Sequence, residues 1–509
     1  MNTLQQTDYA EILGFPPSPQ QIDIFDKGLN TGSNICVSAA PGSGKTTTIV
    51  ALSKLMRSRP SQKGLFLAFS RSIVEELKTK LPRTIECSTL HSKGYKSLIR
   101  GYRGLKFKMS EYKGIMFAKI ATQGLKFKTD AEKFNYEMSL QDGLNLARMN
   151  YSTDFKLMCR KYALEAQPKD LSVAYNAMTD YNDNICAEDG KNVIDFTDMV
   201  FLPIYKNFRL DTYHEIFVDE CQDLNACQLA FVEKMVKRYV GRIIAVGDKK
   251  QAIYSFAGAD IKSFEKLEQR NNTEVLPLSV SYRCAKEIVK LAQKVYPDIQ
   301  YHEDSPDGIL RTDTSVSDAG QGDFILCRNV KPLITVYFIL IGQNKKCTIV
   351  GKDIEKGLLN LTEKLNNYSK WDGFEKLEEM LQYKAEILSE RGVKDPTNHP
   401  VYCNFEEKIE ALRIIAETIR AKSFREISAK IRDIFQQKGE AIKLMTIHKS
   451  KGLEANRVFV IEVFDGKKLI PSHYAKQDWE LIQERNLMFV AYTRAKQELV
   501  LVNLLKSCT

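Results

Sequence analysis

The sequence predicts an α/β fold of two domains, each built on a parallel sheet and each carrying a mainly helical insertion. Three observations carry this. Short apolar runs ending in acidic or glycine residues alternate with helix-like stretches, the order of parallel strands joined by helical crossovers. These runs form two sets, one within residues 34–246 and one within 324–502. Between the first run and an amphipathic stretch lies a glycine-rich loop, Ala39-Ala40-Pro41-Gly42-Ser43-Gly44-Lys45-Thr46.

The elements follow in order. Asn34 to Val37 is the strand before the loop. Ile49, Val50, Leu52, Leu55 and Met56 place an apolar face on a helix that ends near Pro60. Gly64 to Phe69 is a continuous apolar run, expected as a strand buried on both faces. Ile216-Phe217-Val218 and Arg242 to Val246 repeat the pattern, so functional residues are expected at the carboxyl ends of these strands. The second set comprises Phe324-Ile325-Leu326, Thr348-Ile349-Val350, Val458 to Ile461 and Leu499 to Val502. Leu333 to Ile341, the longest apolar run, is too short to span a bilayer and is expected as a buried strand. The resulting organisation has residues 1–95 and 190–280 as the first domain, with 96–189 as its helical insertion. Residues 281–360 and 441–509 form the second, with 361–440 as a shorter helical insertion.

At 509 residues the chain exceeds what one core supports, and 43% hydrophobic with 27% charged residues is the composition of a soluble globular protein. A net charge of +10 suits a polyanionic partner, although most such surpluses are solvated faces. Met1 to Gln6 shows neither the basic nor the apolar region of a secretory signal. Eleven cysteines without a Cys-x-x-Cys pair argue against a zinc ribbon and for reduced thiols in a cytoplasmic setting. One short repeat occurs: Gly104-Leu105-Lys106-Phe107-Lys108 returns as Gly124-Leu125-Lys126-Phe127-Lys128. From Arg100 to Lys128 there are eight Lys/Arg and one acid, Glu111, interleaved with aromatics. A single-strand track and an exposed helical face over an aromatic core fit this equally well.

Strand, glycine-rich loop and helix in that order make a phosphate-binding P-loop. Gly42 and Gly44 let the backbone turn its N–H groups toward a polyphosphate, and the helix N-terminus adds its positive end. The candidate cradle is Ala40, Gly42, Ser43, Gly44, Lys45, Thr46 and Thr47. Lys45 can reach the β- and γ-phosphates of a nucleoside triphosphate, and the Thr46 hydroxyl can ligate Mg²⁺. Asp219-Glu220 follows the strand Ile216 to Val218, where an acid pair completes such a site. Asp219 would hold the Mg²⁺, and Glu220 would orient and deprotonate the attacking water.

Further motifs bring a resemblance. Ser18-Pro19-Gln20-Gln21, Ala68-Phe69-Ser70-Arg71, Thr89-Leu90-His91-Ser92, Val246 to Ala259, Leu278 to Arg283, Thr446 to Glu454, and Glu484-Arg485 with Val490 to Ala495 occur in this order. With the P-loop and the acid pair, the chain resembles superfamily 1 DNA helicases of the UvrD/Rep/PcrA type. The resemblance implies two RecA-like P-loop NTPase domains using ATP and Mg²⁺. It implies that Gln21 reads the adenine edge and Tyr282 stacks on it. Gln251 would link the γ-phosphate to the Val246 to Ala259 motif, Arg283 and Arg494 would reach the γ-phosphate, and Glu454 would bond near the ribose or polyphosphate. Phe69, Tyr254 and Phe256 would stack on bases, while Thr89, His91, Thr446 and His448 would contact the strand.

The resemblance further implies a 3′ to 5′ motor on single-stranded and tailed duplex DNA. It would be a monomer or weak oligomer without membrane association, serving repair, replication, recombination or defence with protein partners. Its setting would be a bacterial nucleoid or, if phage-encoded, the host cytoplasm. Ala257, Ser281 and Ala455 stand where the family usually has Arg, Asn and an aromatic. Asp195-Phe196-Thr197-Asp198-Met199 and the short second insertion resemble the F-box-helicase branch and small phage relatives, but no F-box is evident. That insertion also motivates a rival reading, a translocase that strips proteins from DNA with little unwinding. Another is a nucleotide switch serving a partner. No nuclease motif is visible, and the chain ends at Thr509 soon after the last helicase-like motif.

Overall fold

The computed structural model describes residues 6–56, 62–185, 192–254, 258, 262–312, 314–390, 393–436, 439–472, 475 and 477–504. The chain divides into two compact units, residues 1–279 and 280–509. The expected helix end near Pro60 and the amino-terminal Met1 to Gln5 lie outside the described residues, as does Phe256.

The first unit contains strands β1 (Asn34–Ala39), β2 (Gly64–Leu67), β3 (Ile85–Ser88), β4 (Lys108–Met109), β5 (Val193–Ile194), β6 (Glu215–Val218), β7 (Arg242–Gly247) and β8 (Thr273–Leu278). Its helices are α1 (Gln6–Leu13), α2 (Pro19–Asn30), α3 (Lys45–Leu55), α4 (Arg71–Lys78), α5 (Leu90–Gly101), α6 (Lys113–Ala121), α7 (Asp130–Asn150), α8 (Phe155–Lys161), α9 (Pro168–Asp183), α10 (Asp198–Tyr205), α11 (Ala226–Met235) and α12 (Ser263–Glu268). Six strands form a parallel sheet in the order β3-β2-β6-β7-β1-β8. Alternate residues feed opposite faces. Ile35 and Val37 enter one core with Phe66, Phe217 and Ile244, while Cys36 enters the other with Leu65, Ile216 and Ile243. Both faces are therefore closed, which is why these strands read as continuous apolar runs.

Helices α6 to α9 have a core of their own, with Phe117, Leu140, Leu144, Leu171 and Met178 at its centre. The short repeat has a local cause. Gly104 and Gly124 take φ of 83° and 81°, the left-handed turn that stops α5 and α6. Phe107 packs edge-on against Tyr102 and Phe127 tilts onto Tyr136, leaving Lys106, Lys108, Lys126 and Lys128 exposed. The geometry here is that of an exposed basic face over aromatic packing.

The second unit contains β9 (Val280–Ser281), β10 (Gln300–Tyr301), β11 (Ile309–Arg311), β12 (Phe324–Cys327), β13 (Cys347–Val350), β14 (Ile442–Thr446), β15 (Ala455–Phe464), β16 (Lys467–Lys468) and β17 (Ala495–Leu504). Its helices are α13 (Lys286–Gln293), α14 (Val330–Gly342), α15 (Lys352–Thr362), α16 (Lys370–Glu390), α17 (Pro400–Thr418), α18 (Phe424–Phe435), α19 (Ile447–Ser450) and α20 (Asp478–Tyr492). The sheet order is β11-β17-β15-β12-β14-β13, all parallel, with β16 antiparallel on β15.

Leu333 to Ile341 is not a strand: it is the body of α14. A continuous apolar run of this kind does not by itself separate a buried strand from a buried helix. Here the flanks decide. Asn329 is extended at the helix start, and the Glu407 carboxylate accepts the N–H groups of Val330 and Lys331. The helix is buried because it lies between the sheet and α17. Leu333, Tyr337 and Leu340 share a single core with Ile325 and Leu444 of the sheet and with Phe374, Leu377, Ile409, Leu412, Phe424 and Ile431 of α16 to α18. The helices within 361–440 thus have no core separate from their sheet. No helix among the described residues is long and apolar enough to cross a membrane.

Candidate active site

The loop after β1 turns through Gly42 and Gly44, at φ 73° and 80°, and α3 begins at Lys45. Inside the turn, Ser43 Oγ donates to Ala40 O at 2.8 Å and Thr48 Oγ1 to Gly44 O at 2.9 Å, so neither hydroxyl competes for the space above the loop. Thr47 is exposed beside Thr46. Strand β6, separated from β1 by β7, ends at the same edge and brings the acid pair opposite. Lys45 Nζ stands 3.8 Å from Glu220 Oε1 and Thr46 Oγ1 donates to Asp219 Oδ2 at 2.6 Å. Burial, and then the neighbouring Glu220 carboxylate, push the Asp219 pKa up to about 6. A carboxylate disfavoured by burial and a like charge, with a hydroxyl in contact, is a donor set that a hard divalent cation would relieve. Thr46 and Asp219 therefore fit Mg²⁺.

Glu220 itself has φ 51°, a left-handed backbone uncommon outside glycine and a form of strain that concentrates at functional sites. Gln222 fixes its side chain. The amide nitrogen donates to Glu220 Oε2 at 2.6 Å, and the amide oxygen accepts the Asp248 N–H at 2.9 Å. Gly247 makes this possible, since a Cβ there would lie 2.3 Å from Gln222 Oε1. Asp248, whose pKa burial raises, accepts in turn from Gln251 Nε2 at 2.8 Å. Asp248 stands within the Val246 to Ala259 motif and Gln222 two residues after the acid pair, but their connecting role arises only from the way β6 and β7 end side by side.

Gln21 is placed differently from a free reader of a base. It is buried, its Oε1 accepts the Ser18 N–H at 3.0 Å in a capping box on α2, and its Nε2 donates to Thr48 at 3.0 Å. Its neighbour Gln20 bonds Ser279 through both amide atoms, at 2.9 and 2.8 Å.

In the second unit, Tyr282 is half exposed, and its ring lies 5.0 Å from that of His302, a residue the sequence reading did not single out. Arg283 Nε pairs with Glu454 Oε2 at 2.6 Å, and Lys496 pairs with the other oxygen at 2.6 Å. Burial opposes the Glu454 charge, yet Lys496 and Arg283 hold its carboxyl below the usual range. Glu454 is the counter-ion of Arg283 here. Arg494 is buried, donating from Nε to Val490 O at 3.0 Å and from Nη1 to Leu453 O at 3.2 Å.

A cleft of about 570 Å³ opens in the first unit. Phe69, Arg71, Thr89, His91 and Phe196 line it, and so do Asp219 and Glu220. Phe69 is 66% exposed, and Phe196, in the Asp195 to Met199 segment, stacks on His91 at 3.9 Å and 24°. Burial pushes the His91 pKa down to about 4, so the ring is neutral. Thr89 caps α5, accepting the Ser92 N–H at 3.2 Å, which commits its hydroxyl but also anchors His91. Tyr254 is half-buried after Gln251. Thr446 and His448 lie in the second unit at the carboxyl end of β14. Burial, with Arg328 and Lys449 nearby, pushes His448 down to about 3. Because Cys327 pairs with Thr446, the adjoining Arg328 and Asn329 belong to the same sheet end, a placement that the sequence did not disclose.

A P-loop at the end of β1 and an acid pair at the end of β6 make the first unit a P-loop NTPase domain. The second parallel sheet, without a P-loop, is its RecA-like companion. The UvrD/REP helicase N-terminal domain family matches residues 20–272, and the UvrD-like helicase C-terminal domain family matches 442–502. The chain belongs to the UvrD/Rep family of superfamily 1 helicases. It is similar to F-box DNA helicase protein 1 of Schizosaccharomyces pombe, 24% identical over 95% of this chain and 57% of the relative. It is also similar to the ATP-dependent DNA helicase PcrA of Bacillus subtilis, 24% identical over 61% of this chain and 58% of the relative. Chicken F-box DNA helicase 1 is 24% identical over 95% of this chain and 48% of the relative. The chain thus spans about half the length of the curated relatives it matches.

Proposed function

We propose that the chain is an ATP-dependent DNA helicase that couples Mg²⁺-ATP hydrolysis to movement along single-stranded DNA, 3′ to 5′. The observation that carries this is the shared cleft: the acid pair facing Lys45 and Thr46 lines the same space as Phe69, His91 and Phe196. The relatives described above are DNA helicases, which supports DNA as the polymer.

In this reading Lys45 and the N–H groups of Ala40, Gly42, Ser43, Gly44, Thr46 and Thr47 hold the phosphates. A divalent cation held by Thr46 and Asp219 supplies charge neutralisation at the phosphates. Glu220, set by Gln222, takes the proton of the attacking water. Arg283 and Arg494 are the γ-phosphate arginines, with Glu454 orienting the first. Tyr282 stacks on the adenine, and Gln21 reads its edge once its amide turns from Ser18 and Thr48. Phe69, Phe196, Tyr254 and Phe256 stack on bases, a sequence-tolerant contact. Thr89, His91, Thr446 and His448 contact the strand. The domain reading that goes with it keeps 1–95 with 190–280, and 281–360 with 441–509, as the two motor domains.

Steady-state ATP hydrolysis with and without single-stranded DNA tests the proposal, and strand displacement on 3′- and 5′-tailed duplexes tests direction. Turnover that ignores single-stranded DNA would sink it. A second reading, translocation with little unwinding, draws support from the absence of a separately cored helical body within residues 361–440 among the described residues. DNA-stimulated turnover without displacement of the tailed duplex is its signature.

A further inference from the structure

Four charged side chains meet inside the first unit, outside the P-loop and the acid pair. Arg148 of α7, Lys113 of α6 and Asp198 of α10 are fully buried, and Asp195 is 6% exposed. Arg148 grips Asp195 with two nitrogens, Nη1 to Oδ1 at 2.9 Å and Nη2 to Oδ2 at 2.6 Å, and reaches Asp198 Oδ1 at 2.7 Å. Lys113 donates to Asp198 Oδ2 at 2.6 Å and to Asn182 of α9 at 2.7 Å. The two acids also close on each other's backbone, with Asp195 N to Asp198 Oδ2 at 3.1 Å and Asp198 N to Asp195 Oδ1 at 2.9 Å. Two cations and two anions cancel, and their lone pairs and protons are largely used. A buried cluster of this kind is weak evidence for stability, because an apolar cluster of similar volume often serves as well. What it specifies is geometry.

The geometry specified is the 195–198 turn, which carries Phe196. That ring is 58% exposed and lies flat on His91 of α5. The turn is pinned from the other side too. Gly94 of α5 lies so close to α10 that a Cβ there would stand 2.0 Å from Met199 O. The turn is held between α5, which bears His91, and the helical insertion, which supplies Arg148 and Lys113.

We infer that the buried Arg148–Asp195–Asp198–Lys113 network is a positioning device that sets Phe196 on His91. It thereby keys the helical insertion to the grip on a single strand. The inference rests on the reading of this cleft as a single-strand site. The four charged residues are positioning residues: none lines the cleft.

Arg148→Lys keeps the charge and loses the two-pronged grip. Lys113→Met with Asp198→Asn keeps the cluster neutral and decides the matter if Arg148→Lys does not fold. Binding of a fluorescein-labelled oligothymidylate is measured for each variant, alone and combined with Phe196→Ala, alongside thermal melting and DNA-free ATP turnover. Each network variant should weaken binding about tenfold, which is about 1.4 kcal/mol and within the worth of one stacked base. It should add little once Phe196 is already Ala, and leave DNA-free turnover and the KM for ATP unchanged. A folded network variant with parental affinity overturns the proposal. So does a loss that adds in full to that of Phe196→Ala, because the network would then act elsewhere. Parental affinity in Phe196→Ala alone would overturn the assignment of Phe196 to the strand site itself, a failure visible before any network variant is compared.

Discussion

Thr46 Oγ1 donates to Asp219 Oδ2 at 2.6 Å, joining positions 173 residues apart. That bond ties the first turn of α3 to the end of β6. It follows from the parallel order of the sheet, which brings the carboxyl ends of β1 and β6 to one edge with β7 between them. The chemistry expected of the site is concentrated there.

Glu220→Gln keeps the shape of the side chain and one acceptor oxygen for Gln222 while removing the base. Nucleotide and DNA binding should persist, and turnover should fall by about 10²- to 10⁴-fold, the usual worth of a positioned base. Steady-state hydrolysis beside equilibrium nucleotide binding checks this. Parental turnover would assign the base elsewhere.

Gln222→Ala should separate two parameters. It frees Glu220 to rotate and leaves the Asp248 N–H without its acceptor, but removes nothing from the phosphate cradle. We expect kcat to drop by about tenfold or more while the KM for ATP holds, since the loss is confined to orientation of the base. A rise in KM at constant kcat would count against this role.

Phe69→Ala removes an exposed ring that packs little against the core. Affinity for single-stranded DNA should fall by about 1–3 kcal/mol with the melting temperature nearly unchanged. A large drop in melting temperature with parental affinity would make the ring structural instead.

His91 predicts an acid limb in the stability profile. Its pKa is about 4 in the folded protein against an ordinary value of 6.5, so the unfolded chain binds more protons between those values. Its contribution to stability is complete above pH 6.5 and is lost as pH falls toward 4. His91→Gln should flatten that part of a plot of urea midpoint against pH. An unaltered slope would show that the ring titrates normally.

Phe424→Ala tests whether α18 belongs to the sheet's core. The side chain is fully buried, and a Cβ on Gly373 would come within 2.2 Å of its ring. The loss should be about 3–5 kcal/mol. Near-ultraviolet signals and hydrogen exchange in β12 and β14 should report it as strongly as α18 does. Exchange changes confined to the helix would contradict the shared core.

The nucleotide cradle was legible because its residues are contiguous and its glycines have one steric purpose. The acid pair was legible by its place after an apolar run. Gln222, by contrast, has its role from partners just past the ends of two strands, and no spacing rule links it to Asp248. Phe196 stood in a motif, but only the fold puts it on His91. Gln21 shows another limit: its place in a motif does not disclose that its amide is bonded to Ser18 and Thr48. The α14 run was misread because continuous apolarity records burial, not conformation, and the deciding cap, Glu407, lies 77 positions away from Val330.

The two insertions differ in a way that bears on how such a chain can change over generations. Helices α6 to α9 carry their own interior, so this piece can lengthen, shrink or be exchanged while the sheet beneath it stays filled, provided Arg148 and Lys113 keep their counterparts. Helices α16 to α18 have no such liberty. They are the outer wall of their sheet, and a lineage that trimmed them would have to rebuild the wall in the same step.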